Sequence, residues 1–280
     1  MKKNLNIILF LAAVAFTSCG THSRVAMSQD YEARYEAAKQ AYAEGHYSRC
    51  ANFLSDMIVM LKGTDKAQES LYMMAMAQYG MGDYETASTY FKQFYNTYPK
   101  GDFTELARYN SGKALYNGVP DPRLDQTNTG LAIQELQTFL DYFPTSEFRD
   151  HAQDMIFELQ DKMVEKEYIN AKLYYDLGSY FGNCTEGGSN YEACVVTCEN
   201  TLKDYPYTKL REELYYLNFK AKYELAQQSV DDKQEVRYRN AIDEYFGFKN
   251  EFPESKYIKE LDNLYAKAVK HVNLEEDEEE

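Results

Sequence analysis

Cysteines are the most reactive side chains in this 280-residue chain, and three of them, Cys184, Cys194 and Cys198, lie close together. In an oxidising compartment Cys184 and either Cys194 or Cys198 form a candidate disulfide, because Gly187 and Gly188 free the intervening backbone to meet the geometry of a bridge. A zinc centre would need a fourth ligand. His22, His46, His151 and His271 are scattered and make no i, i+4 pair, so no metal site is expected. The stretch 186–189, Glu-Gly-Gly-Ser, reads as a loop and not as a nucleophile elbow or phosphate cradle. Asp154 and Glu158 sit at helical spacing, as many solvated carboxylates do, with no cleft in view to raise a pKa. These residue types point away from an enzyme and from a bound cofactor, and towards a scaffold that binds other proteins.

Cys194 and Cys50 also occupy the small-residue position of a recurring phrase. In the segment 241–253, Ala241 is followed by Tyr245, Phe248, Phe252 and Pro253. The first three offsets trace one helix face, and the proline ends the helix. Ala87 leads the same series to Pro99, Ala132 to Pro144 and Cys194 to Pro206; Cys50 leads Leu54, Met57 and Leu61, with Lys62 in place of the proline. Cys50 and Ala87 are 37 residues apart, close to the roughly 34-residue period of tetratricopeptide repeats. The phrase Tyr79-x-x-Gly82-x-Tyr84-x-x-Ala87-x-x-x-Phe91, closed by Pro99, resembles that consensus. The expected fold is all-α, a right-handed solenoid of five tetratricopeptide-like helix hairpins plus a C-terminal capping helix over about 254–272.

Later intervals lengthen to 45, 62 and 47 residues. A breaker-rich insert at 117–130 accounts for the first, a long helix over about 147–181 for the second, and a polar loop at 229–235 for the third. The second helix of the first hairpin is expected to run unbroken through Cys50, Leu54, Met57 and Leu61. Residues 29–146 are assigned to repeats one to three. Residues 147–272 hold the long helix, repeats four and five and the capping helix, and 273–280 is expected to be a disordered acidic tail.

The N-terminus sets the address. Lys2 and Lys3 precede a short apolar stretch, 5–16, which is too short to span a bilayer comfortably. Phe16-Thr17-Ser18-Cys19 resembles the lipobox of bacterial lipoproteins, although Phe16 stands where leucine is usual. That resemblance implies a signal peptide over 1–18, lipidation at Cys19 with palmitate among the acyl chains, and a tether over 19–28. Gly20 in place of an aspartate implies the outer membrane, and no acidic export run follows, which implies the periplasmic side. Net charge is −15, or −17 without Lys2 and Lys3. This excludes a nucleic-acid partner, which needs clustered Lys and Arg.

The spacing of the whole array, with its long fourth-repeat helix, resembles the BamD family, lipoproteins of the outer-membrane β-barrel assembly machinery. The local matches are Phe143-Pro144-Thr145-Ser146-x-Phe148, the stretch 166–180 with Tyr174-Tyr175 and Gly178, and Asp204-Tyr205-Pro206-Tyr207-Thr208; the Asp121 to Asp125 insert is a further one. The longer loop in repeat five and the acidic tail depart from the family. The resemblance implies a non-catalytic role in the assembly and insertion of outer-membrane β-barrel proteins. Its implied partners are a BamA-like barrel protein, unfolded outer-membrane proteins and other assembly-machine lipoproteins, with the membrane reached through the lipid. The concave face of such an array presents helix-A side chains to an extended peptide. Tyr35, Tyr42, Tyr72 and Tyr79 are the candidates, with packing as the alternative for each. Lys162, on the long helix, is a candidate contact for a partner's acids, with simple solvation as its alternative. The other functional reading is a periplasmic repeat lipoprotein that coordinates envelope or cell-wall assembly. Glycan binding is disfavoured because there is no tryptophan for sugar stacking.

Overall fold

A computed structural model describes residues 30–178, 180 and 189–272. Cys19, the signal peptide, the whole tether, Cys184, the 186–188 part of the loop and the acidic tail lie outside the described residues. Among those described, every regular element is helical: α1 (Tyr31–Ala43), α2 (Tyr47–Leu54), α3 (Met57–Met60), α4 (Ala67–Gly80), α5 (Tyr84–Thr97), α6 (Thr104–Asn117), α7 (Thr127–Tyr142), α8 (Arg149–Leu177), α9 (Asn190–Asp204), α10 (Arg211–Gln227), α11 (Asp231–Glu251) and α12 (Ile258–Ala268), closed by a 3₁₀ turn. No described helix is long and apolar enough to cross a membrane. The fold is the all-α, tetratricopeptide-like one expected. It is organised as two compact units that divide within α8. The first unit holds the hairpins α1/α2, α4/α5 and α6/α7 with the opening turns of α8. The second holds the rest of α8, then α9, α10/α11, α12 and the segment Asp121–Gln126.

Each hairpin is built by the same local rules. Between helix A and helix B the chain reverses at Gly45 and Gly82, whose φ values of 74° and 79° lie in the left-handed region that favours glycine. Asp83 then caps α5 by accepting from Thr86 N–H at 3.2 Å. The small residues Cys50, Ala87, Ala132, Cys194 and Ala241 are all fully buried, which lets helices A and B approach.

Helix B ends identically in successive repeats. Tyr98, Tyr205 and Phe252 take φ near −125° and ψ near 63°, outside the helical region that a following proline disfavours. Each still donates its N–H into the helix, as Phe143 does, to Phe94, Thr201, Phe248 and Phe139 respectively. Three residues later a Gly, Ser or Thr tightens the corner. Ser146, Thr208 and Ser255 each accept, through the side-chain oxygen, the N–H two residues on, at 3.0–3.2 Å.

Five local expectations are corrected. The second helix of the first hairpin breaks at Ser55-Asp56, where Ser55 bonds back to the Asn52 carbonyl and Asp56 faces Arg34. The repeat-three insert narrows to 118–126, because 127–130 is already helical. The stretch 229–235 is largely the start of α11, with Asp231 and Asp232 favourably placed at its positive end. The long helix has 29 residues, roughly 44 Å, and stops at Gly178 with φ 47°. The capping helix starts only at Ile258, because the Pro253 corner repeats there.

Candidate functional site

The candidate peptide-binding tyrosines belong to a larger pattern. Every helix A carries two tyrosines seven residues apart: Tyr35/Tyr42, Tyr72/Tyr79, Tyr109/Tyr116, Tyr168/Tyr175 and Tyr216/Tyr223. The Tyr-x₆-Tyr spacing was available in the sequence and finds all ten, whereas stripe reasoning within the first two hairpins singles out four.

The first member of each pair joins its repeat to the next. Tyr72 stacks on Phe103, Tyr109 on Phe148 and Tyr216 on Tyr257, with ring centroids 5.2, 4.6 and 4.0 Å apart. In each case the covering residue leads into the following helix A. Tyr168 and Leu210, the matching pair in repeat four, pack on one core cluster. In the first repeat the same position is Lys66, whose ammonium sits 4.9 Å from the Tyr35 ring. The hydroxyls add a second tie. Tyr35 donates to Glu69, Asn110 donates to Tyr72 at 2.8 Å, and Tyr216 donates to Glu260 at 2.8 Å. A tryptophan at this place would fill the gap but could not reach that partner with an oxygen.

The second member closes its own hairpin. Tyr42, Tyr79, Tyr175 and Tyr223 meet Tyr47, Tyr84, Tyr191 and Tyr238 edge to face at 5.4–5.8 Å. Each partner stands three residues before the small residue of helix B. Tyr35 is buried, and Tyr42, Tyr72 and Tyr79 are half-buried, so all four proposed face residues have packing partners.

Carboxylates that accept tyrosine hydroxyls are tuned by them. The Tyr35 bond holds Glu69 below the usual carboxylate range, and the Tyr245 bond does the same for Asp262. For Glu260, burial pushes upward and is outweighed by Tyr216 and Lys220, so it too is lowered. A lowered folded-state pKa contributes stability that is present above the unfolded value, near 4, and is lost as pH falls through the folded value. The chain should therefore melt at a lower temperature at about pH 3 than at about pH 6. Glu69→Gln should shrink that difference; an unchanged difference would remove Glu69 from this account.

Helix-B grooves hold half-buried cations. The Arg108 guanidinium lies between the Tyr95 and Tyr142 rings, 4.0 and 3.9 Å from their centroids. Lys222 is clamped by Glu199 at 2.8 Å and Glu244 at 2.7 Å. Lys162 is half-buried on α8 and has a partner of its own. Cys50, Cys194 and Cys198 are free, fully buried thiols. Burial pushes Cys50 up to about 11; the hydrogen bond with Cys194, and then burial, raise Cys198. Both therefore stay protonated and unreactive. His271 stacks on Tyr238, and among the described residues no three His, Cys, Asp or Glu side chains are grouped to hold a metal.

Two comparisons bear on these helix hairpins. The model of a family described as YfiO, outer membrane lipoprotein, matches residues 27–184, more than half of the chain. The putative outer membrane protein assembly factor BamD of Aquifex aeolicus is 26% identical over 172 residues, which cover 61% of this chain and 56% of that protein. The chain thus spans a little over half the length of that relative.

Proposed function

The chain belongs to the YfiO family of outer membrane lipoproteins, and from that premise we propose that it is a non-catalytic scaffold for the assembly and insertion of outer-membrane β-barrel proteins. The observation that carries this reading is the union of family membership with an array of tetratricopeptide-like helix hairpins, the kind of array that can present a concave face to a peptide. The name of the Aquifex relative, an assembly factor, supports it. In this reading Cys19 bears the lipid and holds the chain on the periplasmic side of the outer membrane. Its partners are a BamA-like barrel protein, unfolded outer-membrane proteins and other lipoproteins of the machine.

Crosslinking followed by pull-down from membranes should capture a large β-barrel protein, and depletion should lower many outer-membrane barrels together. Unchanged barrel levels would overturn the reading. Septal localisation with cell-wall partners would move the assignment to envelope coordination.

A further inference from the structure

The corners that follow helix B allow one repeat to be compared with another. The residue after the corner proline is Lys100, Thr145, Tyr207 or Glu254. Three of these suit solvent. Tyr207 does not: it is 92% exposed, so its ring adds almost nothing to the fold. It stands at the mouth of a cleft of about 560 Å³ inside the second unit, between α8 and the corner that ends α9. Phe157, itself 51% exposed, forms the α8 wall, buried Val164 lies deeper, and Tyr205 and Pro206 form the opposite wall. The corner is pinned in place. Asp161 accepts from the Thr208 hydroxyl at 3.0 Å and from the Lys209 N–H at 3.2 Å, and pairs with the Lys209 ammonium at 3.1 Å. The cleft is therefore preformed, as ligand sites usually are.

Its dimensions and chemistry select an occupant. From Phe157 to Val164 is two helical turns, about 10 Å. One turn of polyproline II, three residues at about 3.1 Å each, fills that length. Flat aromatic and proline rings flanking a narrow slot suit proline side chains, and such a ligand loses little entropy on docking. Asp161 is already paired with the Lys209 ammonium, and Asp204 adds a further carboxylate to the cleft lining, on a chain of net charge −15. We infer that this cleft docks a proline-rich, polyproline II segment of a partner protein that carries a basic residue beside its prolines. This assignment is independent of the assembly role proposed above.

The test is fluorescence anisotropy of labelled Arg-Pro-Pro-Leu-Pro-Pro-Arg against the full chain in detergent, with Arg-Gly-Ser-Leu-Gly-Ser-Arg as control. Saturable binding of the proline probe alone is expected. Tyr207→Lys, which copies the corner at Lys100, and Phe157→Gln should each weaken it by about tenfold, the loss of one good ring contact. Tyr207 is almost wholly exposed, so its substitution should leave the melting temperature in place, and that variant separates lost docking from lost stability; Phe157 is half-exposed, so its variant is compared at a temperature well below its own melting point. Equal binding of the control, or proline-probe binding that survives both substitutions, would overturn the inference. So would tighter competition at these residues by an aromatic-ended strand peptide, or self-association of the chain through them.

Discussion

Raising the pH from about 9 to about 12 should unfold the chain cooperatively, with tyrosine ionisation and helix loss following one curve. At nine helix-A tyrosines, from Tyr35 to Tyr223, burial is the main cause that raises the hydroxyl pKa. Tyr72 is pushed up to about 12, with the Asn110 bond working the other way. Unfolded tyrosine titrates near 10. A pKa raised in the folded state contributes stability that is complete below the unfolded value and is lost as pH climbs through the folded one. Between these limits each such tyrosine ionises only in the unfolded chain and pulls the equilibrium towards it. For Tyr72 alone the effect is about 2–3 kcal/mol. The sign is the same at every seam, so the contributions add in one direction against the roughly 5–15 kcal/mol typical of whole domains. Tyr72→Phe keeps the ring and removes one titrating group, so it should shift the alkaline midpoint upward. Tyrosines that ionise near pH 10 while the helices stay intact would sink the idea.

Phe94→Ala should cost about 3–5 kcal/mol, among the largest effects open to a single substitution. Phe94 is fully buried, meets Tyr72 edge to face at 5.7 Å and packs against Tyr98 at 5.5 Å. Truncation leaves a cavity where helix A, helix B and the corner meet. The register makes a sharper comparison possible. Seven residues after its small residue, repeat four carries Thr201 in place of Phe94, with its hydroxyl bonded to the Thr197 carbonyl at 2.7 Å. Thr201→Ala removes little volume and should cost no more than about 1–2 kcal/mol. Urea melts of the two variants decide the matter; similar costs would mean that the repeats do not share one packing scheme.

Helix B was legible in the sequence because its signal is local. A small residue, then apolar residues four and seven further on, then an aromatic and a proline, spell one buried face and one stop. Local competition was not legible. Whether Ser55-Asp56 breaks a helix depends on Arg34, far off in sequence, and whether Asp231 starts one depends on a terminal field that a polar stretch does not advertise. The site was harder for the same reason. Tyr35, Tyr72, Tyr109 and Tyr216 are covered by residues 31 to 41 positions later, so periodicity names the rings but not what covers them. Tyr207 belongs to a family-like phrase, and what separates it from the other exposed corner residues is an aromatic ring that lines one cleft with Phe157.

The first seam differs from those that follow. Where later repeats lay a ring or a leucine at the position covering the helix-A tyrosine, this one lays the Lys66 ammonium over Tyr35, beside the Lys66–Glu32 and Lys39–Glu69 pairs. Charges within reach of water are weakened by salt, whereas ring contacts are not. In a chain proposed to hang from Cys19, load enters through α1 and meets this seam first. Under tension the ionic part of this seam should yield at a force that falls as ionic strength rises, while the apolar core that joins α1 and α2 to α4 keeps a salt-independent hold.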